Sequence, residues 1–141
     1  EVFETGCADV VQPDVSHAGG LWETRMIGAL AELWQVSFAP HNPSGPVANA
    51  ATMQLAACTP NFSWLETMAT DVDWRSDVAI ESSVVERGVA RVSDAPGLGI
   101  EINEDALAAH PYVRHDLRHY TGALTQIRPE NATVRHERSV S

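Results

Sequence analysis

The sequence predicts an α/β protein in which short strands alternate with covering helices, and three observations carry that prediction. Along the first 66 residues the apolar pattern switches repeatedly between the two-residue period of a strand and the 3.6-residue period of a helix. The strand–loop–helix pattern returns about every 25 residues, the size of the βα unit of a parallel sheet. Polar residues capable of chemistry fall at the strand ends. A doubly wound sheet would share the first two features. The third favours a (β/α) barrel, whose reactive groups project from the C-terminal ends of its strands.

Taken in order, Ala8-Asp9-Val10-Val11-Gln12 reads as a first strand, ended by Pro13-Asp14 and the pair Gly19-Gly20. From Leu21 to Trp34 the pattern is helical, with Trp22, Met26, Ala29, Leu30 and Leu33 on one face, predicted to be the packed one. Val36-Ser37-Phe38-Ala39 is a second strand, closed by Pro40-His41. After the turn Asn42-Pro43-Ser44-Gly45, Pro46 is suited to the first position of a helix that runs to about Cys58 and stops at Thr59-Pro60. Phe62-Ser63-Trp64-Leu65 is a third strand ending at Glu66. The strands are apolar on both faces, as helices on a parallel sheet require.

Beyond Glu66 the texture changes. Val84 to Val92, centred on Glu86-Arg87-Gly88, reads as a hairpin, and Pro96-Gly97-Leu98-Gly99 as a tight turn before the alternation of Ile100, Glu101 and Ile102. Glu104 to His110 suits a short helix, and the polar tail from Pro129 has no periodicity. Residues 1–70 are thus expected to form strand–helix units and 71–141 an extension with hairpin and polar tail.

Composition narrows the function. Of 141 residues, 44% are hydrophobic and 20% charged, which is ordinary for a globular chain. Nine basic residues, all arginine, face 19 acids for a net charge of −10, a field that repels nucleic acid. The absence of lysine excludes a lysine base or Schiff-base amine. No run is long enough for a membrane span. Cys7 and Cys58 lack metal-site spacing and are expected to be buried free thiols, consistent with a reducing cytoplasm. A chain opening on Glu1, with its first methionine at Met26, is expected to continue upstream.

The three strand ends present Asp14, His41 and Glu66, separated by 27 and 25 residues. Adjacent strands lie about 4.8 Å apart, so these side chains can converge on one ligand. A carboxylate beside an imidazole fixes its tautomer and makes a general base, and a second carboxyl group can serve a developing oxyanion. Each residue also has a plainer reading: Asp14 as a helix N-cap, His41 as a loop residue, Glu66 as a solvated acid.

The residues around these three positions resemble a known family. Gln12-Pro13-Asp14-Val15-Ser16-His17-Ala18-Gly19-Gly20, Ala39-Pro40-His41-Asn42-Pro43-Ser44-Gly45-Pro46, Leu65-Glu66 and Pro96-Gly97-Leu98-Gly99-Ile100-Glu101-Ile102 are similar to motifs of the enolase superfamily. The likeness is to the mandelate racemase subgroup and its galactonate-dehydratase-like branch, over residues 1 to about 105. It implies that the chain is the C-terminal segment of a TIM-type barrel, its last three strand–helix units, plus an extension toward a capping domain. Asp14 and His41 would form the acid/base dyad acting α to a carboxylate, and Glu66 would be the electrophilic acid at the enediolate. Relatives with lysine in place of Asp14 are excluded, which points to dehydration of a sugar acid. A racemase of 2-hydroxy acids and a catalytically silent segment are the alternatives.

The resemblance further implies Mg²⁺, with its carboxylate ligands upstream of this chain, and a homo-oligomeric full-length enzyme. Three strands cannot close an eight-stranded barrel, so the chain alone is expected to be inactive. His17, in the loop of Asp14, and Trp74-Arg75 are candidates for binding an anionic substrate. His115 and His119 have the spacing of a helical zinc pair but lack a third ligand. Trp22, Trp34, Met53 and Trp64 are expected in the core.

Overall fold

The computed structural model describes residues 1–68, 72–81 and 85–113. The backbone divides into two units, Glu1–Ala109 and His110–Ser141, and all elements named below belong to the first. His115, His119 and the tail from Pro129 lie outside the described residues.

A helical turn, α1 (Val2–Thr5), closes at Gly6 and leads to β1 (Val10–Val11). β1 runs parallel to β2 (Ser37–Phe38), pairing Val10 with Ser37 and Val11 with Phe38. Phe38 pairs in turn with Phe62 through a single parallel bridge. Three parallel segments thus follow in sequence order, as the βα period predicts. The third is shorter than Phe62–Leu65. Its ladder consists of Phe38 N–H to the Asn61 carbonyl and Ser63 N–H to the Phe38 carbonyl, both 2.9 Å. The next donor from the β2 side would be residue 40, and Pro40 has no N–H. The ladder ends there.

The connecting helices are α2 (Gly20–Leu33) and α3 (Pro46–Ala57), within one residue of expectation at each end, and Pro46 does open α3. α2 ends in a Schellman motif: Val36 N–H bonds the Ala31 carbonyl at 2.9 Å and Gln35 N–H the Glu32 carbonyl at 3.0 Å. The left-handed residue of that motif is Gln35, at φ 58°, where glycine is usual.

The packed face of α2 is not the predicted one. Thr24, Gly28 and Ala31 are buried, whereas Trp22 is 71% and Leu33 82% exposed, with Met26 and Leu30 about half exposed. The cause is the closeness of approach. A Cβ on Gly28 would lie 3.0 Å from Thr59 Cγ2 and 3.5 Å from Phe38 Cδ2, so only small side chains fit where the helix meets the sheet. Trp34 and Trp64 are also exposed rather than core, while Met53 is buried with Phe38, Ala39, Ala50 and Leu55. Cys7 and Cys58 are exposed free thiols, not buried ones. Both follow helix ends, where the chain comes to the surface; Cys58 Sγ contacts the Leu55 carbonyl at 3.2 Å.

The remainder packs beside α3. A short helix, α4 (Arg75–Val78), runs directly into β3 (Ala79–Glu81), which pairs antiparallel with β6 (Ile100–Ile102). The alternation of Ile100 and Ile102 signals β6, but β3 and α4 carry no comparable pattern. Between them, β4 (Val85–Glu86) and β5 (Val89–Ala90) form the predicted hairpin, turning through Arg87 at φ 51° and Gly88 at φ 79°. Two consecutive positive φ values make this a type I′ turn, the one that matches strand twist. Asn103 Oδ1 accepts Ala106 N–H at 3.1 Å and caps α5 (Glu104–Ala109). No helix among the described residues is long and apolar enough to cross a membrane.

Candidate active site

Asp14 and His41 occupy equivalent places. Val11 pairs with Phe38, and each of the two residues lies three positions beyond its paired strand residue. The parallel register therefore delivers both side chains to the same end of the sheet. Pro40 helps: it stops β2 and fixes the backbone entering His41. His41 Nδ1 lies 2.9 Å from Asp14 Oδ2.

The segment after Asp14 is a compact turn in which His17 N–H and Ala18 N–H both bond the Asp14 carbonyl, at 3.0 and 2.7 Å. Ser16 N–H donates to Asp14 Oδ1 at 2.7 Å. Asp14 is therefore not the N-cap of α2. Gly19 takes that position, at φ 97°, and no side chain caps the helix. His17 Nδ1 lies 3.2 Å from the same Oδ2 that His41 approaches. The Asp14 side chain is 7% exposed, that of His41 47% and that of His17 80%.

Burial pushes the Asp14 carboxyl upward, but hydrogen bonds from His41, Ser16 N–H and His17, with the nearby His17 ring, outweigh it. The net result is a pKa below the ordinary 3.8. Asp14 is thus an ionised acceptor at neutral pH. A carboxylate can only accept, so an imidazole bonded to it presents Nδ1–H. For His41 this selects the tautomer whose Nε2 carries the free lone pair, the arrangement of a general base or of its conjugate acid.

Glu66 reaches the same strand end through its neighbour in space, Asn42. The Asn42 peptide N–H donates to Glu66 Oε2 at 3.3 Å, and Asn42 Nδ2 donates to the Glu66 carbonyl at 3.0 Å. The Glu66 carboxylate is thereby held at the residue that follows His41. Asn42 and its partner on α3, Asn49, were not singled out in the sequence. The available signal was an asparagine beside the candidate base with a second one in the first turn of the next helix.

Trp74 and Arg75 lie at the start of α4. Arg75 is buried, and its Nη2 donates 2.8 Å to the Ser44 carbonyl, in the loop that follows His41; Trp74 is partly exposed. A cavity of about 460 Å³ lies beside α3 and the β4–β5 hairpin, lined by Met53, Ala56, Phe62, Trp64, Leu65 and Val89, with Asn49 at its polar side. Asp14, His41 and Glu66 are not among its lining residues. The strand-end cluster and this apolar hollow are therefore lined by different residues.

A magnesium site does not fit these residues. Among the described residues no three histidine, cysteine or acidic side chains gather to hold a metal. Both Asp14 oxygens already face nitrogen donors, and Glu66 Oε2 faces the Asn42 N–H.

Comparison with known proteins places the chain in a family. Residues 1–106 match the family described as enolase C-terminal domain-like. The chain is 34% identical to a D-xylonate dehydratase of Haloferax volcanii over 77% of its own length and 26% of that protein. It is 35% identical to a D-galactonate dehydratase of Variovorax paradoxus over 75% of its length and 29% of that protein. A mandelate racemase/muconate lactonizing enzyme of Labrenzia alexandrii superposes with a TM-score of 0.75 at 38% identity, covering 82% of this chain and 30% of that one. An enolase from Pantoea ananatis, solved with bound D-gluconate and Mg, superposes with a TM-score of 0.71 at 32% identity, covering 77% and 26%. The chain spans less than a third of the length of these relatives. On this match the chain belongs to the enolase superfamily, in the C-terminal-domain family of the mandelate racemase and muconate lactonizing enzymes.

Proposed function

We propose that this chain supplies the last strand–helix units of a (β/α) barrel, and with them the proton-transfer end of a sugar-acid dehydratase. The observation that carries the reading is the 2.9 Å contact between His41 Nδ1 and Asp14 Oδ2 at the ends of adjacent parallel strands. The dehydratases of xylonate and galactonate among its relatives, and the gluconate-bound neighbour, support an aldonate as substrate. Residues 1–70 are assigned to the barrel and 71–141 to an extension. The open apolar face of α2, with Trp22, Met26, Leu30 and Leu33, suits cover by a neighbouring strand–helix unit.

In this reading the proton on C2, α to the substrate carboxylate, is removed and the C3–O bond breaks. The C3 hydroxyl departs as water on receiving a proton. The resulting enol tautomerises to a 2-keto-3-deoxy acid. His41, held by Asp14 in the tautomer with Nε2 free, serves one of the two proton transfers, as base at C2 or as acid at the C3 hydroxyl. Glu66 hydrogen-bonds the substrate carboxylate oxygen that gains charge when the proton leaves. His17, on the outer side of Asp14, is a substrate contact, and Trp74 and Arg75 bind the anion with it; Arg75 already props the Ser44 loop. Magnesium belongs to the same enzyme through residues outside this chain, and full-length subunits associate with their own kind. The two exposed free thiols suit a reducing cytoplasm.

The test is product identity. The enzyme carrying this chain, incubated with Mg²⁺ and a panel of aldonates, is expected to release a 2-keto-3-deoxy acid, detected as its semicarbazone. Epimerised substrate without keto acid would instead identify a racemase, and no turnover of any aldonate would overturn the dehydratase reading.

A further inference from the structure

We propose that Asn42 is a positioning residue that sets Glu66 relative to His41, an inference that rests on Glu66 acting at the substrate oxyanion. Asn42 is 1% exposed and follows His41 directly, yet its side-chain hydrogen bonds lead away from the histidine. One amide hydrogen of Nδ2 goes to the Glu66 carbonyl at 3.0 Å and the other to Asn49 Oδ1 at 2.8 Å. The peptide N–H of the same residue goes to Glu66 Oε2 at 3.3 Å. Backbone and carboxylate of Glu66 are therefore both tied to the residue that carries His41 forward. The pairing matters because the ladder between these strands ends early: beyond Ser63 N–H to the Phe38 carbonyl, Pro40 supplies no donor. Asn42 takes over where the sheet stops.

The orientation of the amide is fixed by its partners. The Glu66 carbonyl only accepts, so Nδ2 must face it. Asn42 Oδ1 is then left buried with no hydrogen-bond partner among the described residues. A side chain needed only to fill space would avoid that penalty by being apolar. What the amide provides is two N–H groups pointing to two elements at once, Glu66 and α3.

Those two roles separate by mutation. In Asn42→Asp the side chain is nearly the same size but can no longer donate. Asn49 can turn its amide to donate to the new carboxylate, so the tie to α3 survives. The Glu66 carbonyl cannot adapt, because it would face another acceptor. Asn49→Ala does the reverse: it removes the α3 partner and leaves the tie to Glu66.

The experiment compares both variants with the parent in the enzyme carrying this chain, after near-UV circular dichroism has shown the fold. Asn42→Asp is expected to lower kcat on the order of 10- to 100-fold while KM stays within about threefold, since a misplaced group acting on developing charge costs the transition state and not binding. Asn49→Ala is expected to lower Tm and to hold kcat within about threefold of the parent. Parent-like kcat in Asn42→Asp, or an equal loss of kcat in Asn49→Ala, would overturn the proposal. If Asn42→Asp does not fold, Asn42→Ala carries the same readout. If the parent turns over no aldonate, the functional reading fails by itself, and crystal structures of parent and Asn42→Asp decide this one. A displaced Glu66 carboxylate supports it and an unmoved one contradicts it.

Discussion

At the scale of single residues, the site rests on one carboxylate that receives three donors. Asp14 accepts from Ser16 N–H and faces two imidazoles, and its pKa falls below 3.8 in consequence. Because the folded state holds the proton more weakly than the unfolded chain, Asp14 stabilises the fold at pH above its unfolded value. That contribution is lost as pH falls through the lower, folded value. Asp14→Asn should therefore flatten the fall of Tm with acidification through and below pH 3.8 relative to the parent; parallel Tm profiles would show that the contacts carry no such linkage. The positions of Asp14, His41 and Glu66 were legible because each ends an apolar run. That Asp14 grips histidines and not the helix was not legible from the residue alone, since an aspartate after a strand reads equally well as an N-cap. Asn42 was invisible for a different reason: its role depends on Glu66, which is 24 residues away and meets it only once the strands lie side by side.

At the scale of elements, α2 shows what a periodic pattern does and does not disclose. Its existence and limits follow from the 3.6-residue spacing, but the face that packs is the one with Thr24, Gly28 and Ala31. A hydrophobic stripe predicts burial against whatever covers it. A helix lying tightly on a sheet selects by size, and small residues leave little signal. Gly28→Val should overfill the gap to Thr59 and Phe38 and cost about 1–3 kcal/mol in urea unfolding of the enzyme; unchanged stability would mean that α2 sits farther from the sheet. The end of the same helix offers a change of opposite sign. Gln35 adopts a left-handed conformation that costs a residue with a Cβ about 1 kcal/mol. Gln35→Gly should raise Tm and Gln35→Val lower it, and the reverse order would contradict the Schellman reading. β3 and α4 were missed because both are too short for either period to repeat.

At the scale of the whole molecule, the βα order, the shared strand end and the family were readable from sequence, since they depend on spacing and local motifs. The partners of the outer surfaces were not. β1 pairs on the β2 side alone among the described residues, and α2 presents five large apolar side chains, Leu21 among them, to solvent. In the proposed barrel these surfaces are covered by other strand–helix units. Residues 1–141 expressed alone should therefore show weak near-UV circular dichroism or aggregate, and bind no Mg²⁺ at a defined site by calorimetry. A cooperatively melting, monodisperse chain with tight Mg²⁺ binding would show a complete domain instead. The central claim is that Asp14 and His41 work as one acid/base unit in dehydration. Its most direct test is the steady-state release of 2-keto-3-deoxy acid by the enzyme carrying this chain and by its Asp14→Asn and His41→Asn variants, each shown to be folded. A loss of about 10²–10⁴ in kcat is expected for Asp14→Asn, with no measurable dehydration for His41→Asn; parent-like turnover by either folded variant would show that the two residues do not act as one unit.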